Sequence, residues 1–241
     1  MSTNSESFSR HGSRRGAFIL GAATAGALSA FGTPRFRIDA ATVAGAGVPP
    51  HVALARLIAG NHVFIKEMSR TRTQTIAERV ALGGGQAPWA SILTCADSRV
   101  APEIVFNVGL GDIFVSRVAG NIVDPTETAS LEYGAAVLGS QLIVVMGHSS
   151  CGAVKSALEA ARGKKMPSAD IERLVGAIVP AVRRVDGQPG DELVNAIKAN
   201  VRAGVSRLQS NAILSGLSAQ GTLKIVGAYY DLASGKVHVM A

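Results

Sequence analysis

Two short stretches hold the residues best suited to chemistry, Cys95-Ala-Asp97-Ser-Arg99 and His148-Ser-Ser-Cys151, and they contain both cysteines of the 241-residue chain. Two thiolates and one imidazole form a donor set suited to Zn²⁺. Three protein ligands leave a fourth position open, the arrangement of a catalytic zinc rather than a structural one. Cys151, expected in the first turn of a helix, would have its thiol pKa lowered there, which assists metallation. Each piece also has a plainer reading. Two cysteines can form a disulfide or serve as small buried hydrophobes, and a lone histidine after an apolar strand can be a satisfied polar residue. A redox dithiol finds little support, because the cysteines are 56 positions apart and no C-x-x-C occurs.

Asp97 stands two residues past Cys95 and Arg99 two past Asp97. In an extended loop their side chains lie on one side and can pair. With Arg99 engaged, the carboxylate is held off the metal and can accept a hydrogen bond from the attacking nucleophile. Without Arg99, Asp97 could swing in as a fourth ligand and exclude water.

The elements that must position these groups follow from hydrophobic periodicity. Residues 51–65 carry a helical stripe and 75–82 a second short helix stopped by Gly83-Gly84-Gly85. Residues 89–94 read as a buried strand ending at Cys95, and 112–118 as another. Asp124-Pro125-Thr126-Glu127 starts a helix expected to run to about Leu138. Leu142–Met146 is a continuous apolar strand that delivers Gly147-His148, and Ser149-Ser150 can cap a helix over 151–161. Further helices are expected over 170–185 and 191–216, and strands over 222–231 and 236–240. The alternation predicts an α/β fold, a mostly parallel β-sheet flanked by helices, with the ligand site off the carboxyl ends of the strands. Cys95 and His148 both fall there.

Composition bounds the alternatives. The chain is 47% hydrophobic, enough for one sizeable core, and only 5% aromatic. The net charge is +7, of which residues 1–46 hold +3 through five arginines against Glu6 and Asp39, leaving +4 for the remainder. No Lys/Arg run or basic–aromatic ladder appears in that remainder, which argues against a nucleic-acid partner.

The N-terminus reads as an address. Arg14-Arg15 precede an uncharged stretch, Ala17–Phe31, followed by small residues, the form of a secretory signal and too rich in Ala and Gly for a membrane span. The paired arginines are similar to a twin-arginine signal, with Phe18 one place late. Small residues at Ala25-Gly-Ala27 and Ala44-Gly-Ala46 bracket the cleavage region. Residues 1–46 are thus expected to be signal peptide and linker, and 47–241 a catalytic domain exported to the periplasm or beyond, with no stable membrane span after processing.

Taken together, CADSRV at 95–100 and GHSSCGAV at 147–154 resemble the two signature motifs of the β-class carbonic anhydrases, and the resemblance runs from about Leu54 to Tyr230. It implies reversible hydration of carbon dioxide to bicarbonate, one zinc per subunit on Cys95, His148 and Cys151, and Asp97 with Arg99 as a catalytic dyad. It further implies substrate contacts from Gln86, Phe114, Tyr133 and Gly152, the aromatic ones often supplied by a neighbouring subunit, and a homodimer or higher homo-oligomer. Hydrolysis of carbonyl sulfide or carbon disulfide at the same zinc, or a zinc-binding sensor without turnover, are the alternatives. Two departures stand out. Ala119 replaces a branched apolar residue, and Ile92 stands where some bacterial members have a tryptophan tied to a non-catalytic bicarbonate site. His11, His51, His62 and His238 lie outside the motifs, and no proton-shuttle histidine is evident.

Overall fold

A computed structural model describes residues 47–69 and 75–240. The expected signal, with Arg14, Arg15 and His11, lies outside the described residues. The elements run α1 (Pro50–Ile65), α2 (Ile76–Leu82), β1 (Ala90–Thr94), α3 (Pro102–Val105), β2 (Ile113–Arg117), a 3₁₀ turn (Ala119–Asn121) and α4 (Pro125–Glu132). There follow a π-helical turn (Tyr133–Val137), β3 (Leu142–His148), α5 (Gly152–Ala161), α6 (Ala169–Gly176), α7 (Val179–Arg183), α8 (Glu192–Gln209), α9 (Ala212–Ala219), β4 (Lys224–Tyr230) and β5 (Val237–Met240). No helix among the described residues is long and apolar enough to cross a membrane.

The strands form one sheet in the order β2-β1-β3-β4-β5, parallel except for β5. Every residue of β1 and β3 is buried, as the continuous apolar runs require of strands covered on both faces. Ile92, Val144 and Met146 pack on one face with Leu57 of α1. Leu93, Ile143 and Val145 pack on the other with Val201 and Leu208 of α8. Two polar side chains inside the sheet are paired: Thr94 Oγ1 donates to the Met146 carbonyl at 3.0 Å, and Ser91 Oγ to Ser140 Oγ at 3.0 Å. From β1 the chain steps outward to β2, then returns past β1 to β3. The order reverses between β1 and β3, so a crevice opens off their carboxyl ends.

Several boundaries differ from expectation. The helix expected over 170–185 is two, because Pro180 sits at the start of α7 and has no N–H to continue α6. The helix expected over 191–216 breaks at Ser210-Asn211, where Asn211 Oδ1 accepts from the Ile213 and Leu214 N–H groups and starts α9 afresh. Beyond Glu132 the helix widens into a π turn, in which the Leu138 N–H reaches back to the Tyr133 carbonyl. Gly134 lets that turn lie on the sheet, since a Cβ there would stand 2.7 Å from Ser91 Oγ. The short α3, opened by Pro102, was not expected.

One buried side chain ties the two ends of the described fold together. Asn61 of α1 donates from Nδ2 to the carbonyls of Val105 (3.1 Å) and Gly235 (2.8 Å) and accepts the Val237 N–H at 2.9 Å. Replacing it strands three backbone groups away from water. Asn61→Ala is expected to lower the unfolding free energy by about 2–4 kcal/mol, read as a drop in the denaturant midpoint at unchanged slope.

Candidate metal centre

Cys95 follows the last residue of β1, and His148 is the last residue of β3, the strand hydrogen-bonded beside it. Cys151 comes after a two-residue turn in which Ser150 takes a positive φ of 56°. The turn is stapled in place. The Ser149 N–H donates to the Tyr230 carbonyl at 2.9 Å, and Ser149 Oγ accepts the Leu232 N–H at 2.9 Å. Cys151 is the N-cap of α5 rather than a member of its first turn as expected, and neither Ser149 nor Ser150 caps the helix.

These three residues bring their donor atoms within 4.8 Å of one another, all buried. The cysteines are free thiols. His148 Nδ1 lies 2.9 Å from the Ser149 carbonyl, so Nδ1 carries the proton and Nε2 presents a bare lone pair. That Nε2 is fully buried with no hydrogen-bond partner, an uncompensated acceptor in the middle of the cluster. Such an atom costs free energy unless something fills the space it faces. Hydrogen bonding from Cys151 first, with the Gly120 N–H adding to it, pulls the Cys95 thiol down to about 4 against the effect of burial. The adjoining Cys95 sulfur, then burial, push Cys151 up, while the Val154 and Ala153 N–H groups at the start of α5 act in the opposite sense. A divalent cation accommodates both sulfurs as thiolates and takes up the orphaned nitrogen. Two Cys and one His fit zinc with one position left open.

Asp97 and Arg99 pair as the spacing predicts. Asp97 Oδ1 accepts the backbone N–H and Nε–H of Arg99, each at 2.9 Å, and Oδ2 accepts from Nη2 at 2.7 Å. The guanidinium beside it holds the Asp97 carboxyl well below the usual carboxylate range. Oδ2 nevertheless stays within 3.8 Å of His148 Nε2, so the carboxylate borders the cluster without entering it.

Arg117, the last residue of β2, has a part that sequence reasoning missed. Its Nε donates to the Cys95 carbonyl at 3.1 Å and its Nη2 to the Asp97 carbonyl at 2.7 Å, clamping the loop that carries both residues. A lone arginine closing an apolar strand, as in DIFVSR, was the available signal. Gly120, in the 3₁₀ turn, donates its N–H to Cys95 Sγ at 3.2 Å.

The expected substrate contacts divide. Gly152 is exposed beside Cys151, with open space where a Cβ would stand. Gln86, also exposed, precedes β1 at the end opposite Cys95. Phe114 pairs in register with Ser91, four residues before Cys95, and therefore stands about 13 Å back along the strands. Tyr133 lies against Phe114, ring centroids 6.3 Å apart, and is 47% exposed. A single subunit thus gathers Cys95, Asp97, Arg99, His148, Cys151 and Gly152, but leaves Gln86, Phe114 and Tyr133 at the other end of the strands. Ile92 is fully buried in the core, and His51, His62 and His238 are exposed.

Comparison with known proteins gives a consistent family. The family model described as carbonic anhydrase matches residues 90–237. A carbonic anhydrase of Mycolicibacterium smegmatis is 40% identical over 193 residues, covering 79% of this chain and 93% of that protein. Carbonic anhydrase 2 of Mycobacterium tuberculosis is 38% identical over 189 residues, 78% of this chain and 91% of its own length. Among solved structures, the Coccomyxa β-carbonic anhydrase in complex with acetazolamide superposes with a TM-score of 0.60 at 27% identity, covering 78% of this chain and 86% of that one. One of two tetrameric β-carbonic anhydrases from Sordaria macrospora gives 0.63 at 25% identity, covering 79% and 96%.

The donor geometry sets a direct test. Zinc content should fall from about one equivalent per chain in the native protein to a small fraction in Cys151→Ser, because a neutral hydroxyl replaces a thiolate donor. Elemental analysis of the purified variant checks this, and a full complement of zinc would remove Cys151 from the ligand set.

Proposed function

The chain belongs to the carbonic anhydrase family, in its β class, and we propose that it catalyses the zinc-dependent interconversion of carbon dioxide and bicarbonate with Cys95, His148 and Cys151 as the metal ligands. The observation that carries this is the buried Cys95–His148–Cys151 cluster, with an orphaned imidazole nitrogen and a carboxylate tethered beside it. When bound, zinc supplies the Lewis acidity that makes water a competent nucleophile near neutral pH. The two thiolates donate more charge than imidazoles would, which tempers that effect.

The chain's own residues do the rest. Asp97, kept ionised by Arg99, can only accept a hydrogen bond. Placed 3.8 Å from His148 Nε2, it receives one from the nucleophile and fixes which lone pair faces the carbon of carbon dioxide. Arg99 restrains Asp97 by the bidentate contact and Arg117 by holding the loop backbone. Gly152, with no side chain, leaves the space beside Cys151 open to substrate. The Asp97–Arg99 pair counts against a sensor without turnover, since a purely structural zinc needs no such carboxylate.

Gln86, Phe114 and Tyr133 serve a pocket completed across a homodimer. Their position at the far end of the strands and the exposure of Tyr133 support this, as does the tetrameric state of the Sordaria enzymes. The mature enzyme works outside the cytoplasm after twin-arginine export. The support is the sequence around Arg14-Arg15 and the metal chemistry: zinc acquired before export protects both thiols from oxidation.

The experiment is a carbon dioxide hydration assay on purified, zinc-quantified protein, and absence of turnover in fully loaded protein would overturn the assignment. Arg99→Ala should keep its zinc, free Asp97 to occupy the open position, and slow hydration roughly 10²-fold or more. Crystallography or X-ray absorption of that variant reads the coordination directly, and the added Asp97→Ala change should reopen the position. Arg14→Lys with Arg15→Lys should leave precursor in the cytoplasm, whereas normal processing would indicate the general secretory route.

A further inference from the structure

Gly120 stands between two peptide units with different partners. One presents its N–H to Cys95 Sγ at 3.2 Å, and the carbonyl of the other accepts from Nδ2 of Asn200 at 2.8 Å. Gly120 has φ 72°, in the left-handed region, and a Cβ at that position would lie 2.5 Å from Ile178 Cδ1. A glycine is required there, yet a glycine does not by itself fix the orientation of its peptide planes. The hold must come from outside the turn.

Asn200 supplies it from α8, where it is 6% exposed in the face formed with Ala196, Ile197, Val201 and Gly204. Its reach depends on how closely α8 lies on the sheet. A Cβ on Gly147 would stand 2.7 Å from Val201 Cγ2, and one on Gly227 2.8 Å from Val201 Cγ1. Only glycine on β3 and β4 admits Val201 to this depth, and the neighbouring Asn200 is carried to the Gly120 carbonyl with it.

We propose that Asn200 is a positioning residue for the metal centre: by holding the Gly120 carbonyl it fixes the N–H that Cys95 Sγ accepts, and thereby sets how much electron density that sulfur donates to the metal. This rests on the zinc reading above. A thiolate that accepts an N–H is a weaker donor than a bare one, and partners of this outer kind shift metal affinity or activity by about 10- to 100-fold.

The test uses Asn200→Leu, similar in volume but without a donor, and Asn200→Asp, which keeps the shape and places an acceptor against the carbonyl. Leu208→Ala is the control, loosening the packing of α8 about two turns away from Asn200 without removing a hydrogen bond. In cobalt-substituted protein, the Asn200 variants should show the sulfur-to-cobalt charge-transfer band at longer wavelength and zinc affinity changed about 10- to 100-fold against a chelator. Leu208→Ala should leave both near native values. Equal shifts in Leu208→Ala, or none in the Asn200 variants, would reduce Asn200 to a packing residue and overturn the proposal. The native protein provides a readout independent of variant folding. With cadmium bound, the Gly120 amide proton should show scalar coupling to the metal nucleus through Sγ, and a well-resolved Gly120 signal without coupling would also overturn it. A native protein that binds no metal at all would fail the zinc reading instead, which separates the two outcomes.

Discussion

Cys95 and His148 can share one ion only because β1 and β3 lie side by side and point the same way. The parallel register sets Thr94 against Met146, so both strands release their next residues at the same edge of the sheet. An antiparallel pairing would send the two donors to opposite ends. Parallel neighbours need a long crossover, and the chain uses it to place β2 on the far side of β1, opening the crevice in which the donors meet. The continuous burial of β1 and β3 is the cost of that choice, since helices must then cover both faces.

A second constraint is charge. The cluster concentrates two buried sulfurs beside a part-exposed carboxylate, and unpaired anions in a dry place are expensive. The chain meets this with local donors rather than one large counter-charge. Arg99 pairs with Asp97, Arg117 takes the carbonyls of the same loop, Gly120 reaches one sulfur, and the start of α5 faces the other. Each comes from a different element, so the geometry of the centre is spread through the fold.

Much of this was legible in the residues. The strands at Cys95 and His148, the α/β order and the Asp97–Arg99 pair follow from apolar runs and spacing, because each is local or lies at a strand end, whereas the convergence of Cys95, His148 and Cys151 on one metal was implied by the resemblance of their motifs to the β-class carbonic anhydrases. What could not be read depends on contacts between distant segments. Pro180 and Asn211 mark helix breaks locally, yet the amphipathic pattern runs through both and masks them. Asn200 is an ordinary polar residue within α8 until the 3₁₀ turn is packed against it. Gln86 before its strand and Phe114 near the start of the next are legible as lying at the end opposite Cys95, but the packing of Tyr133 on Phe114 carries no sign in the sequence.

The bonds that Asn61 makes to Gly235 and Val237 reach across 174 and 176 residues. During synthesis, α1 emerges early, and its Asn61 amide must wait for two of its three partners until the final hairpin has left the ribosome. β3 likewise gains its β4 neighbour only near the end. Contacts this distant in sequence make closure late and cooperative. Cys95 and Cys151 are therefore synthesised well before the last strands that complete the sheet, and for that interval the two thiols depend on the surrounding compartment, rather than on the fold, to stay reduced.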